Sequence, residues 1–154
     1  MIEPFRLAFD LRAPQDHAFD VYTRDIDRWW PASHTQTGRS DLRIVMEGRA
    51  GGRIFEQTPE GDEFDWGRVQ VWEPPGRIVY SWHLRRDPAE WTEVEIVFRP
   101  VGAEATHVEI EHRGWERLGA VGQQERDMHG SGWGTLLPHY QEAVATAGLE
   151  EETA

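Results

Sequence analysis

Residues 92–113 read TEVEIVFR, then PVGAEA, then THVEIEHR: two runs of alternating apolar and polar side chains on either side of a turn. Val94, Ile96 and Phe98 share one face at a period of two, and Val108, Ile110 and His112 do the same on the second run. Side chains along a strand point alternately to opposite faces. The spacing therefore predicts a hairpin, Thr92–Arg99 paired with Thr106–Arg113 across Pro100-Val101-Gly102-Ala103, with one face on a core and the other in water. Upstream the same alternation recurs in Arg43–Glu47, Arg53–Thr58, Phe64–Trp72 and Arg77–Arg85. Gly51-Gly52, Pro59-Glu60-Gly61-Asp62, Pro74-Pro75-Gly76 and Asp87-Pro88-Ala89-Glu90 separate these runs with turn-forming residues. Strands this close together, with no helix between them, predict an antiparallel sheet.

Two helices bracket the meander. Phe5, Leu7, Phe9 and Leu11 form a first half-buried strand. Pro14 then suits a first helical turn, and Ala18, Phe19, Val21 and Tyr22 make an apolar stripe. Residues 31–41 are polar and read as a loop. From about Gln123 to Ala147 the side chains His129, Trp133, Leu136, Leu137, Tyr140, Val144 and Ala147 follow one helical face. Gly130, Gly132 and Gly134 weaken the start of that helix by about 1 kcal/mol each and read as a hinge, and Pro138 is expected to kink it. The element order is β-α-β6-α, in one domain over 1–149 followed by an acidic tail, 150–154, expected to fray. In the run Phe64–Trp72 the phase is ambiguous. Either Trp66, Arg68, Gln70 and Trp72 face inward, or Val69 and Val71 do.

Composition narrows the function. A formal net charge of −12 with no segregated basic patch disfavours nucleic acid and anionic lipid surfaces. Cysteine is absent, which removes disulfides, thiolate metal sites and thiol catalysis and is compatible with a cytoplasmic location. No run approaches the roughly 18 apolar residues of a membrane span, so no membrane insertion is expected. The chain carries 8 tryptophans, a residue type that buries large area and stacks on aromatic ligands.

Several stretches carry a resemblance: Ala13-Pro14, the turn Gly51-Gly52-Arg53, Gly67-Arg68-Val69, the run from Trp72 to Trp82 with its Pro74-Pro75-Gly76 turn, and Gly132-Trp133. Together they resemble the SRPBCC or START-like superfamily, birch-pollen-allergen-like proteins of the helix-grip type, and within it the bacterial heat-shock-protein-90 ATPase activator-homologue branch. The resemblance implies an α+β helix-grip fold, a curved antiparallel sheet wrapped around a long C-terminal helix, with a ligand between them. The superfamily includes lipid and hormone binders and aromatase/cyclases, so it fixes a fold and leaves the activity open. Combined with the strand and helix periods, it selects Tyr80, Trp82, Val94, Ile96, Phe98, Val108, Ile110 and His112 from strands, and His129, Trp133, Leu137 and Tyr140 from the helix. Trp91 and Trp115, on loops at one end, are candidate lid residues.

His112 is the candidate acid/base, with Tyr80 or Tyr140 as a proton donor; the other reading of His112 is a hydrogen-bonded core histidine. His107, Glu109 and Glu111 lie on the opposite face and read as a solvated surface, His34 and His17 lack neighbours at ligand spacing, and no metal site is expected. No phosphate-cradling loop or nucleophile elbow is present, and no cofactor is implied. Three functions follow: a binding module for a small hydrophobic or aromatic molecule, lipid-like or polyketide-like; a cyclase, lyase or hydrolase using His112; and a protein-interaction domain of co-chaperone type.

Overall fold

Strand pairing reaches from one end of the chain to the other. The computed structural model describes residues 1–153, with side chains as far as Thr146. Its strands are β1 (Phe5–Leu11), β2 (Arg43–Met46), β3 (Arg53–Gln57), β4 (Glu63–Glu73), β5 (Arg77–Trp82), β6 (Thr92–Pro100) and β7 (Thr106–Arg113). They form one antiparallel sheet in the order β1-β7-β6-β5-β4-β3-β2. Phe5 pairs with His112 and Leu11 with Thr106, so the first strand lies beside the last. The chain then crosses to the opposite edge through α1 (Gln15–Tyr22) and two short 3-10 turns, Ile26–Arg28 and Ala32–His34. Helix α2 (Gly122–Thr153) packs against α1 and β1. This is the α+β helix-grip architecture.

The β6–β7 hairpin follows its sequence pattern. Thr92, Val94, Ile96 and Phe98 are buried on β6, and Thr106, Val108, Ile110 and His112 on β7. The opposite face carries an ionic ladder: Arg113 pairs with Glu93, Glu95 and Glu111, while Arg77 reaches Glu95 at 2.6 Å and Arg6 reaches Glu111 at 2.8 Å.

Strand β4 resolves its ambiguous phase by irregular pairing. Register shifts interrupt its pairing with β3 and with β5, so that Trp66 and Val69 are both buried and Trp72 packs on Phe19 at 5.1 Å between ring centroids. Arg68 and Gln70 are exposed and do not reach the interior. Gly67 permits this geometry: a Cβ there would lie 1.8 Å from the Ser81 carbonyl oxygen.

Two predicted features differ. Strand β5 stops at Trp82 rather than Arg85, because Arg85 adopts a left-handed backbone (φ 63°) and its guanidinium donates to the Thr35 carbonyl. The glycines at 130, 132 and 134 are not a hinge but lie within continuous helix, which also runs through Pro138. Gly130 lets α2 approach β1, since a Cβ would stand 2.7 Å from the Phe5 ring. The expected position of Ala147 on the helical stripe concerns a side chain outside the described ones, and the backbone of 150–153 continues α2. Among the described residues no helix is long and apolar enough to cross a membrane.

Candidate functional site

The space enclosed by sheet and helix is divided. Toward one end it is filled: Phe19 packs on Phe98 at 5.3 Å, and Tyr22, Trp29 and Phe9 surround Tyr140 at 5.2–6.2 Å between ring centroids. The Tyr22 and Tyr80 hydroxyls share a hydrogen bond of 2.8 Å, and the Tyr140 hydroxyl donates to the Ala18 carbonyl at 2.6 Å. Burial pushes all three phenols above their ordinary value. They are core groups, unsuited to give up protons near neutrality.

Toward the other end lies a cavity of about 670 Å³. One wall is built from Trp30, Tyr80 and Trp82, with Trp66 behind it; the indoles of Trp30, Trp66 and Trp82 meet pairwise at 5.1–5.7 Å between centroids. The facing wall is α2, with His129, Gly132, Trp133 and Leu136, and His112 of β7 forms part of the floor. Three segments ring the mouth: Ser33 and His34, the turn Leu84–Glu90, and the first turns of α2.

His112 is 1% exposed and held at both ring nitrogens. Trp133 Nε1–H donates to Nδ1 at 3.1 Å, and an indole nitrogen donates only, so Nδ1 carries no proton. The proton therefore sits on Nε2 and is donated to Thr92 Oγ1 at 2.7 Å. Burial, and secondarily His129, lowers the imidazole's proton affinity well below the ordinary histidine value. The ring is a neutral strut joining β6, β7 and α2, not an available acid or base.

His129 differs. Its ring stands edge-on to His112 at 5.4 Å and over Trp115 at 5.1 Å. Nδ1 donates to the Glu125 carbonyl at 2.8 Å, one turn back on α2, and the Glu125 carboxylate lies 3.7 Å from the same nitrogen. Glu125 is in turn paired with Arg86 at 2.5 Å, and Arg86 with Glu90 at 2.9 Å. This chain of charges ties the β5–β6 connection to the start of α2 across the mouth.

Of the residues selected from sequence, Tyr80, Trp82, His112, His129 and Trp133 meet at the cavity. Ile96, Phe98, Ile110, Leu137 and Tyr140 pack in the filled core instead. Neither proposed lid residue closes the mouth. Trp115 is fully buried, its indole donating to the His112 carbonyl at 2.8 Å, and Trp91 lies under the Arg117 guanidinium, 3.8 Å from its ring centre. Sequence reasoning missed Trp30, His34, Arg85, Arg86 and Glu125. The Glu125/His129 spacing of four residues on one helix was the available signal; the arginines lie in a turn without periodicity. Among the described residues no cluster of three or more His, Asp or Glu is placed to hold a metal ion.

A family model described as activator of Hsp90 ATPase homolog 1-like protein matches residues 12–145. A comparison with curated proteins gives no significant match. Among solved structures the chain is similar to CalC from Micromonospora echinospora, a self-sacrificing resistance protein, at 26% identity and TM-score 0.71, over 94% of this chain and 95% of that one. It is similar to Txn09, an anthrahydroquino-γ-pyrone synthase, at 30% identity and TM-score 0.59, over 82% of this chain and 85% of that one. MLL2253 from Mesorhizobium loti shares the fold at 17% identity, with TM-score 0.67 over 94% and 98% of the two chains.

Proposed function

Because the chain belongs to the activator of Hsp90 ATPase homolog 1-like family, we propose that it uses the grip between sheet and helix to bind a planar aromatic small molecule, polyketide-like in character. The observation that carries this reading is the cavity of about 670 Å³ with tryptophans on both walls. That volume falls within the roughly 300–1,000 Å³ of small-molecule sites, and indole faces favour flat conjugated rings over flexible acyl chains. Txn09 supports it, since its name describes a synthase of a fused aromatic pyrone and its chain is 30% identical. The Hsp90-activator part of the family name carries no argument for a chaperone role here. Exposed large apolar side chains, Met1, Val101, Val121 and Met128, are scattered along the described chain and supply no docking patch argument.

Tryptophan fluorescence and thermal melting, run against fatty acids, steroids, flavonoids and polycyclic quinones, test the proposal. Saturable quenching with a rise in Tm for the flat aromatic classes is the expected result. A preference for fatty acids, or no response to any class, overturns it.

A further inference from the structure

We propose that His129, oriented by Glu125, is a general base that removes a proton from the carbon beside a carbonyl group of a ligand in this cavity, giving the protein an enolising activity. The inference rests on the reading of the cavity as a ligand site.

Tautomer geometry is the first support. The Glu125 carbonyl only accepts hydrogen bonds, so the 2.8 Å contact places the proton of His129 on Nδ1 and leaves a lone pair on Nε2. That nitrogen has no hydrogen-bond partner among the described residues, on a ring that forms part of the cavity wall and whose side chain remains 27% exposed. His112 shows the contrast at 5.4 Å, with both nitrogens taken.

Charge placement is the second. A base that accepts a proton becomes an imidazolium and needs a counter-ion on its far side. The Glu125 carboxylate stands 3.7 Å from Nδ1 and is itself fixed by Arg86. The charged or titratable groups around His129 are Glu125 on α2, Arg86 with its partner Glu90 on the β5–β6 connection, and His112 on β7. Burial, opposed by Glu125 and assisted by Arg86, lowers the His129 affinity for protons, so the ring is neutral at pH 7. A neutral imidazole with a free ring nitrogen facing the cavity suits proton abstraction.

The step balances within the ligand and this side chain. The C–H bond breaks and its proton bonds to Nε2; the electron pair forms a C=C bond while the carbonyl π pair moves to oxygen as an enolate. Return of the proton from Nε2 to that oxygen, or to another carbon of the conjugated system, completes a tautomerisation that needs no oxidant, reductant or second reactant. The Trp82 indole N–H, without a hydrogen-bond partner among the described residues and on the wall facing His129, is a donor available to the ligand carbonyl.

The test uses 2-tetralone, a fused-ring ketone, for proton exchange and 2-naphthol, a flat fused-ring phenol of similar size, as a separate probe of binding. Exchange of the C1 protons of 2-tetralone into D2O is followed by proton NMR, and binding of 2-naphthol by tryptophan quenching. Wild-type protein is expected to accelerate exchange over buffer. His129→Gln is expected to lose about a hundredfold of that acceleration while 2-naphthol still quenches. His129→Asn serves as a second substitution if the first melts early. Glu125→Gln is expected to retain exchange with its pH midpoint moved to lower pH, because the imidazolium loses its counter-ion; a purely structural role would leave the midpoint in place. Quenching by 2-naphthol without faster exchange, or equal exchange in His129→Gln, overturns the base and leaves the binding site standing. Absence of quenching overturns the site and the base together.

Discussion

His112 and Glu56 are buried polar side chains with several partners each, and each gives a measurable consequence. His112 accepts from Trp133, donates to Thr92 and carries Trp115 on its backbone carbonyl. Truncation by His112→Ala strands a buried indole N–H and leaves a void, so it is expected to cost about 3 kcal/mol in urea unfolding. The same ring sets a pH dependence. Because burial holds it neutral in the folded state, the unfolded chain takes up a proton below about pH 6.5 that the folded chain does not. Stability from this source is whole above that pH and declines as the pH falls, with a slope approaching about 1.4 kcal/mol per unit. Unfolding curves between pH 7 and pH 5 are expected to be shallower by about one proton in His112→Ala; an unchanged slope would refute the neutral assignment. Glu56 is fully buried on β3 and accepts from the backbone amides of Gln36 and Thr37 and from the Trp66 indole. Glu56→Gln exchanges charge-assisted bonds for neutral ones, one of its amide hydrogens facing donors. We expect a loss of about 2 kcal/mol, with faster amide exchange at Gln36 and Thr37 beyond the global effect. Uniform acceleration across the chain would show that the carboxylate does not anchor the 31–41 segment in particular.

At the scale of elements, alternation made β6 and β7 legible because neither is interrupted, and Val94, Ile96, Val108 and Ile110 fall inside as their spacing requires. Strand β4 was not decidable the same way. Its register shifts bring Trp66 and Val69 to the same side, and a pattern of period two cannot represent two consecutive phase changes. The glycines of α2 misled for a related reason: propensity counts their cost in an isolated helix, whereas packing against Phe5 determines Gly130. Two glycines separate these effects. Gly67→Ala drives a methyl into the Ser81 carbonyl across the β4–β5 pair and is expected to cost more than about 2 kcal/mol. Gly134→Ala meets nothing within 4 Å, on helix, and is expected to stabilise by about 0.5–1 kcal/mol. Shifts of the same sign in thermal melts of the two variants would contradict the assignment of β4 or of α2.

For the molecule as a whole, the site depends on what meets at one end of the grip rather than on any single element. The sequence-based candidates included Tyr80, Trp82 and Trp133 of the cavity's aromatic walls, which obey strand and helix periods, but not Trp30, which lies outside any strand or long helix. Its rim was not legible: Arg85 and Arg86 lie in a turn, Glu125 in a helical start obscured by glycines, and their meeting depends on how closely α2 seats on the sheet. Arg86 joins those parts, bonding Glu90 within its own connection and Glu125 on α2 at 2.5 Å, with side-chain exposures of 24% and 13% for the Arg86–Glu125 pair. At such partial burial the pair is worth more than an exposed one, yet it remains breakable by passing solvent. On the proposed reading of the cavity as a ligand site, Arg86 bears on passage through the mouth more than on the interior contacts that would hold a ligand. Arg86→Ala is expected to raise both association and dissociation rates of an aromatic ligand severalfold in stopped-flow quenching, with Kd changing by less than either rate. Loss of affinity through dissociation alone would instead make Arg86 a direct ligand contact, and unchanged rates would show that the rim does not limit entry.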